Sequence, residues 1–209
     1  MAKIKHTKTE LKAQTDALKR FRRFLPMLQL KKQQLQAEIA AITARFEAVR
    51  EKERAARAAV DAWVRLFAGA DGLEGLAVLE RVETDTGNIA GVPIPLYRGV
   101  AVARRPLDLF ETPPWFDDAQ DAVAGILALR AEAAVLERQR DQVAAELLTT
   151  SQRVNLFEKV KIPECVENIR VIRIYLGDEQ TAAVTRGKIA KRRAPGGGGG
   201  DAAREEDAA

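Results

Sequence analysis

The sequence predicts a mainly α protein: a long antiparallel two-helix coiled coil with a small β-hairpin region at one end. Three observations carry this prediction. A seven-residue apolar register runs unbroken through residues 4–67, and a second register begins near residue 126. The stretch between them is rich in Val, Ile, Thr and Tyr and is broken by Gly and Pro. Aromatics make up 5% and charged residues 31% of the 209 residues, which favours long helices over a compact globule.

Residues 1–68 form the first element. One seam position falls at Ile4, Leu11, Leu18, Leu25, Lys32, Ile39, Phe46, Glu53, Val60 and Phe67. Its companion falls at Thr7, Gln14, Phe21, Leu28, Leu35, Ile42, Val49, Ala56 and Trp63. A repeat of about 3.5 residues keeps one narrow stripe facing a partner helix. At about 1.5 Å rise per residue, such a helix is roughly 100 Å long and cannot bury its stripe alone.

Residues 69–116 differ in kind. Gly69 is a natural helix stop just past Phe67. Residues 78–84 and 88–110 carry strand formers interrupted by Gly87, Gly91, Pro93, Pro95, Gly99 and Pro106, the pattern of one or two small β-hairpins.

Residues 117–193 return to the helical pattern. Thr112 can cap the helix, Pro113 suits its first position, and Asp117 and Asp118 suit the positive end of its dipole. The seam reads Ile126, Leu129, Ala133, Leu136, Arg140, Val143, Leu147, Thr150, Val154 and Phe157. Near Pro163 it slips by one residue, then resumes at Ile162, Cys165, Ile169, Ile172, Leu176, Glu179 and Ala183. Residues 194–209 contain five consecutive glycines and an acidic Ala-rich end, and are expected to be disordered.

Two long helices joined by a middle segment are expected to pair antiparallel within one chain, with a parallel homodimer as the competing arrangement. The hairpin places Phe46 near Arg140 and Val60 near Ile126. Pro26 and Pro163 then fall at nearly the same height, where a kink or irregular turn is expected. Lys32, Glu53 and Arg140 interrupt the apolar stripes, and either fix the register or reach out to solvent.

Several function classes lack support. The single cysteine, Cys165, rules out an internal disulfide and sits on a seam, where it reads as a small buried hydrophobe. The single histidine, His6, reads as solvated. There is no Gly-rich loop followed by Lys-Ser/Thr, no catalytic constellation, and no metal or cofactor signature. No stretch is long and apolar enough for a direct membrane span. The net charge of +4 is modest, but its distribution is not even. Lys3, Lys5 and Lys8 lie near the start, and Lys188, Lys191, Arg192 and Arg193 near the end. An antiparallel hairpin gathers both sets into a basic pole suited to an acidic docking surface.

Particular words in the sequence are more specific than its periodicity. The run RVNLFEKVKIPECVENIRVIRIYLGDEQTAAVTRGKIAK at 153–191 resembles the C-terminal helix of the D subunit of the V-type and A-type rotary ATPases. The run TKTELKAQTDALKRFRRFLPMLQLKKQQLQ at 7–36 resembles the opening helix of that family. NIAGVPIP at 88–95 and ETPPWFDDA at 111–119 resemble its middle segment in bacterial members. The similarity covers about residues 3–193. Val171 departs from it, standing where a basic residue is expected in the ENIR-x-IR run, and the tail after Pro195 has no counterpart.

This resemblance implies a non-catalytic central stalk, or rotor shaft, without cofactors. It implies a hexamer of A and B subunits around the shaft, an F subunit clasping it, and a funnel-shaped subunit joining it to a membrane ring that carries protons or sodium. It implies a complex at the cytoplasmic face of the cell membrane. The seam residues Leu18, Leu25, Ile39, Phe46, Trp63, Leu147, Phe157, Ile169, Ile172 and Leu176 would hold the shaft together, and the basic pole would face partners. A basic coiled-coil scaffold or nucleic-acid-binding protein is the alternative, though the aromatics that would flank its basic patches are scarce.

Overall fold

The computed structural model describes residues 4–63, 65, 75–108 and 110–193. Lys3, Phe67, the Gly69 stop and the tail at 194–209 lie outside the described residues. The element order is helix α1 (Lys8–Asp61), strands β1 (Ala77–Ile89) and β2 (Val92–Arg104), helix α2 (Phe116–Leu156), a π-helical turn (Phe157–Lys161) and helix α3 (Ile162–Arg193). The chain divides into two compact units. One joins Met1–Leu25 with Leu156–Ala209, and the other spans Pro26–Asn155.

Local chemistry sets the helix starts. Thr7 Oγ1 accepts a hydrogen bond from the backbone N–H of Glu10 at 3.2 Å, capping α1. The start of α2 departs from the sequence expectation. Thr112 does not cap that helix, which begins four residues later; it closes the preceding loop instead, its hydroxyl donating to the Asp108 carbonyl at 2.6 Å. Helical structure begins instead at Phe116, whose N–H donates to Pro113 O at 3.0 Å.

In the larger unit α1 and α2 run antiparallel. The guanidinium of Arg140 lies 5.8 Å from the centre of the Phe46 ring, and Lys31 Nζ meets Glu146 Oε1 at 2.6 Å. The core combines Leu35, Ile42 and Val49 of α1, Ile94 of β2, and Ala133, Leu136 and Val143 of α2. Each large apolar side chain fully buried here contributes about 1.5–3 kcal/mol. A smaller cluster of Leu76, Phe116 and Ala119, joined by Trp63, Leu107 and Trp115, closes the unit where α1 gives way to the hairpin.

The sheet is one antiparallel hairpin. Its turn is Ala90–Gly91, with φ values of 51° and 85°. Positive φ at both central residues is the two-residue turn that matches strand twist. Asn88 Oδ1 accepts the Gly91 N–H at 2.8 Å and fastens it. The hairpin is folded back along the helices. Its base is held by Gln120 Nε2, which donates to Leu76 O at 2.7 Å and to Arg105 O at 2.9 Å. Nearer the turn, Gln139 Nε2 donates to Pro95 O at 2.5 Å.

In the smaller unit the opening of α1 lies beside α3. Phe21 and Phe157 approach at 4.9 Å, Asn168 Nδ2 donates to Gln14 Oε1 at 3.5 Å, and His6 meets Tyr175 at 4.8 Å. Cys165, Ile169 and Ile172 are buried in this unit. The π-helical turn explains the slip in the second seam. The Ile162 N–H reaches back five residues to Phe157 O, so one extra residue is absorbed and the apolar stripe stays in place. Pro163 has no N–H to restore the ordinary ladder. The irregularity expected at both prolines falls on this helix alone, since α1 remains α-helical through Pro26.

Candidate functional site

The most distinctive surface is the end of α3. The facing pairs run out at His6 and Tyr175, because α1 begins only at Lys8. From Gly177 to Arg193 every residue is exposed. Most helix stability in proteins comes from packing of one face, which this stretch lacks, and Gly177 and Gly187 each weaken it further. Val184 and Ile189 are 59% and 47% exposed. Arg186, Lys188, Lys191, Arg192 and Arg193 make the last turns basic, which suits the negative end of the helix dipole. The segment therefore offers apolar and cationic side chains with no intrachain cover among the described residues.

The basic residues named from sequence are staggered along the smaller unit. Lys5 and Lys8 are exposed near the His6–Tyr175 contact. Lys188 follows Tyr175 by about 20 Å of helix, at about 1.5 Å per residue. Two cationic patches thus lie in sequence along α3. Between them and the π turn is an open groove lined by Leu18, Ile169 and Ile174 with Arg22, Arg170 and Arg173. Arg170 is paired with Glu167 at 2.6 Å, while Arg22 and Arg173 have no carboxylate partner among the described residues. Val171 is 37% exposed.

The seam residues fall into two levels of burial. Ile169 and Ile172 are buried. Leu18, Leu25, Ile39, Phe46, Trp63, Leu147, Phe157 and Leu176 are half-buried. The fully enclosed positions of α1 are Leu35, Ile42, Val49 and, unexpectedly for a carboxylate, Glu53.

Glu53 is 3% exposed and is met by three guanidinium groups. Arg130 Nε of α2 lies 2.9 Å from Oε1, Arg57 Nη2 lies 2.7 Å from Oε1, and Arg50 Nη1 lies 3.2 Å from Oε2. The Arg130 hydrogen bond holds the carboxyl below its ordinary range against the opposing effect of burial, and Arg50 and Arg57 add to it. One buried anion thus ties α1 to α2 at a single height. Lys31 does the same for Glu146, lowering its titration. Gln120 and Gln139 give no signal in the sequence. A Gln in an amphipathic helix reads as solvent-facing, and only the folded-back hairpin gives it backbone carbonyls to hold.

Among the described residues, no group of three or more His, Cys, Asp or Glu side chains is placed to hold a metal ion. No helix among them is long and apolar enough to cross a membrane. Burial pushes the Cys165 thiol up, away from its reactive form.

Comparison with known proteins agrees with the words read in the sequence. The family model for the D subunit of ATP synthase matches residues 10–192. The chain is similar to the D subunit of the V-type ATP synthase of Borreliella burgdorferi, 43% identical over 191 residues, covering 91% of this chain and 95% of that protein. It is also similar to the D subunit of the V-type ATP synthase of Chlamydia caviae, 35% identical over 198 residues, covering 92% and 94%. That of Chlamydia pneumoniae is 31% identical over 199 residues, covering 91% and 92%. With a family model matched along nearly all of its length and relatives matched end to end, the chain belongs to the family of ATP synthase D subunits.

Proposed function

We propose that this chain is the non-catalytic central shaft of a rotary ATPase. In this reading it transmits rotation between ATP sites in a hexamer of A and B subunits and an ion-carrying membrane ring. An F subunit and a funnel-shaped subunit are its other partners, and the complex sits at the cytoplasmic face of the cell membrane. The observation that carries the reading is the uncovered end of α3, from Gly177 to Arg193, in a chain of this family. A helix end that exposes Val184 and Ile189, with five cations gathered after Asp178 and Glu179, suits an enclosing partner with apolar and acidic walls. The bore of a hexamer supplies such an enclosure.

The asymmetric shape of a two-helix pair suits a shaft that must present a different face to each surrounding site. Its internal ties suit torque. Glu53 with Arg130, and Lys31 with Glu146, resist sliding of one helix along the other. The elements divide on the same logic: α1 with α2, and the opening of α1 with α3, carry torque, and the β1–β2 hairpin braces the first pair. The test is affinity purification of the full chain from its source cell, followed by identification of its companions. Recovery of A, B and F subunits supports the reading. Recovery of nucleic acid without any ATPase subunit contradicts it.

A further inference from the structure

We infer that the acidic stretch at residues 201–207 is this chain's own counterion for the basic end of α3, and that a partner with acidic walls takes its place on assembly. The pairing stands on the chain alone; the displacement rests on the shaft reading, which supplies the partner. Residues 186–193 of α3 hold five cations and no acid, and all of them are exposed. None of the five cations meets a carboxylate among the described residues. The preceding acids of the helix, Asp178 and Glu179, lie about 10 Å or more before Arg186 along the axis, beyond contact.

At 3.6 residues per turn, Lys188, Lys191 and Arg192 share one face of the helix, with Val184 one turn before them. Three like charges on one face raise a local positive field. The stretch at 201–207 carries Asp201, Glu205, Glu206 and Asp207 against the single Arg204. Glu205, Glu206 and Asp207 are consecutive, so they match the cationic face in number and oppose it in sign.

Tether length selects this end of α3 over the other basic surfaces. Glu205 follows Arg193 by twelve residues, and five of those between are glycine. A Gly-rich chain of that length has a root-mean-square span of about 20 Å. Lys188 lies about 8 Å back along the helix from Arg193, and Arg186 about 10 Å, both within that span. Arg173, in the groove beside Leu18, lies about 30 Å back, outside it. So short a tether gives the acids an effective concentration near millimolar, and a free anion competes only at that level. Each exposed pair is weak, so the pairing exchanges rather than locks. A partner with acidic and apolar walls together displaces the stretch, because it also covers Val184 and Ile189, for which the stretch has only alanines beside its charges.

The test begins with the isolated full chain. A carbodiimide, which joins amines to carboxylates in direct contact, is applied from about 0.01 M to about 1 M salt, as the Debye length falls from about 30 Å to about 3 Å. Lys188 and Lys191 are expected to form amides with Glu205, Glu206 or Asp207 of the same chain, mapped by peptide mass spectrometry, with a yield that drops at least fivefold across that range. No adduct, or an adduct that salt leaves unchanged, overturns the pairing. The second measurement is binding to polyaspartate at low salt. Glu205→Gln with Glu206→Gln and Asp207→Asn should bind at least fivefold more tightly than the natural chain. A control that removes the same charge from exposed sites elsewhere, Glu80→Gln with Glu111→Gln and Glu158→Gln, should gain less than twofold. Equal gains overturn the pairing, since net charge alone then explains them. The tail variant should likewise gain at least fivefold in affinity for the A–B hexamer at low salt. If both chains bind the hexamer equally, the displacement falls; if neither binds it, the shaft reading falls with the displacement, and the adducts still decide the pairing.

Discussion

Glu53 joins sequence, packing and function at the scale of one residue. Its carboxylate must stay ionised to satisfy three guanidiniums, and Arg130 holds its titration below the ordinary range. Because the folded-state value is lowered, the stabilisation is present above the unfolded value near pH 4.5 and is lost as pH falls through the folded one. Glu146, lowered chiefly by Lys31, acts in the same window and direction. Glu53→Gln is expected to cost about 1–3 kcal/mol at neutral pH and to flatten stability below pH 4.5. Urea melts at stepped pH values check both. Ala90 offers a second test, since its φ of 51° is left-handed and costs a side-chain-bearing residue about 1–2 kcal/mol. Ala90→Gly should therefore raise the thermal midpoint, read by calorimetry. Gly87 behaves oppositely: an added Cβ would sit 2.8 Å from Leu96 Cδ1, so Gly87→Ala should lower it.

At the scale of elements, the π-helical turn makes a sharp prediction. It absorbs the one-residue slip between Phe157 and Ile162, so deleting Val160 should convert it to ordinary α-helix and leave Cys165, Ile169 and Ile172 on the buried face. Deleting Ala144 from regular helix should rotate every later seam residue by about 100° and collapse the pairing. Circular dichroism melts of the two deletions should differ accordingly, with the first remaining cooperative and the second not. The slip was legible because heptad counting detects an extra residue directly. The hairpin's backward fold was not, since Ile94, Gln120 and Gln139 meet their partners through contacts between elements that no local period encodes. Thr112 differs for a related reason: a Thr before prolines looks like a cap, but the helix begins only at Phe116 and Thr112 closes the loop onto Asp108 O. Glu53 was visible as an interruption of the stripe, while its three arginines were not, because Arg130 arrives from the other helix.

At the scale of the molecule, the chain pairs its own helices antiparallel and belongs to the family of ATP synthase D subunits. Cysteines replacing Phe46 and Arg140 should form a disulfide within one chain, visible as a mobility shift at monomer mass. The uncovered end of α3 predicts a second behaviour. Backbone amides from Gly177 to Arg193 should exchange quickly in the isolated chain and slowly in the assembled complex, by mass-spectrometric hydrogen exchange. Exposed charge pairs are each worth about 0–1 kcal/mol, so neutralising Lys188 alone should do little. Neutralising Lys188, Lys191, Arg192 and Arg193 together should weaken hexamer binding most at low salt, where screening is least. The central claim, that this chain turns while the subunits around it hydrolyse ATP, is tested most directly by watching it turn. The A–B hexamer is fixed to a surface and assembled with a chain carrying Ala90→Cys, and a bead is attached at that exposed hairpin turn. The account predicts unidirectional rotation of the bead that starts with ATP and stops without it. A bead that stays fixed while the same hexamers hydrolyse ATP would contradict it.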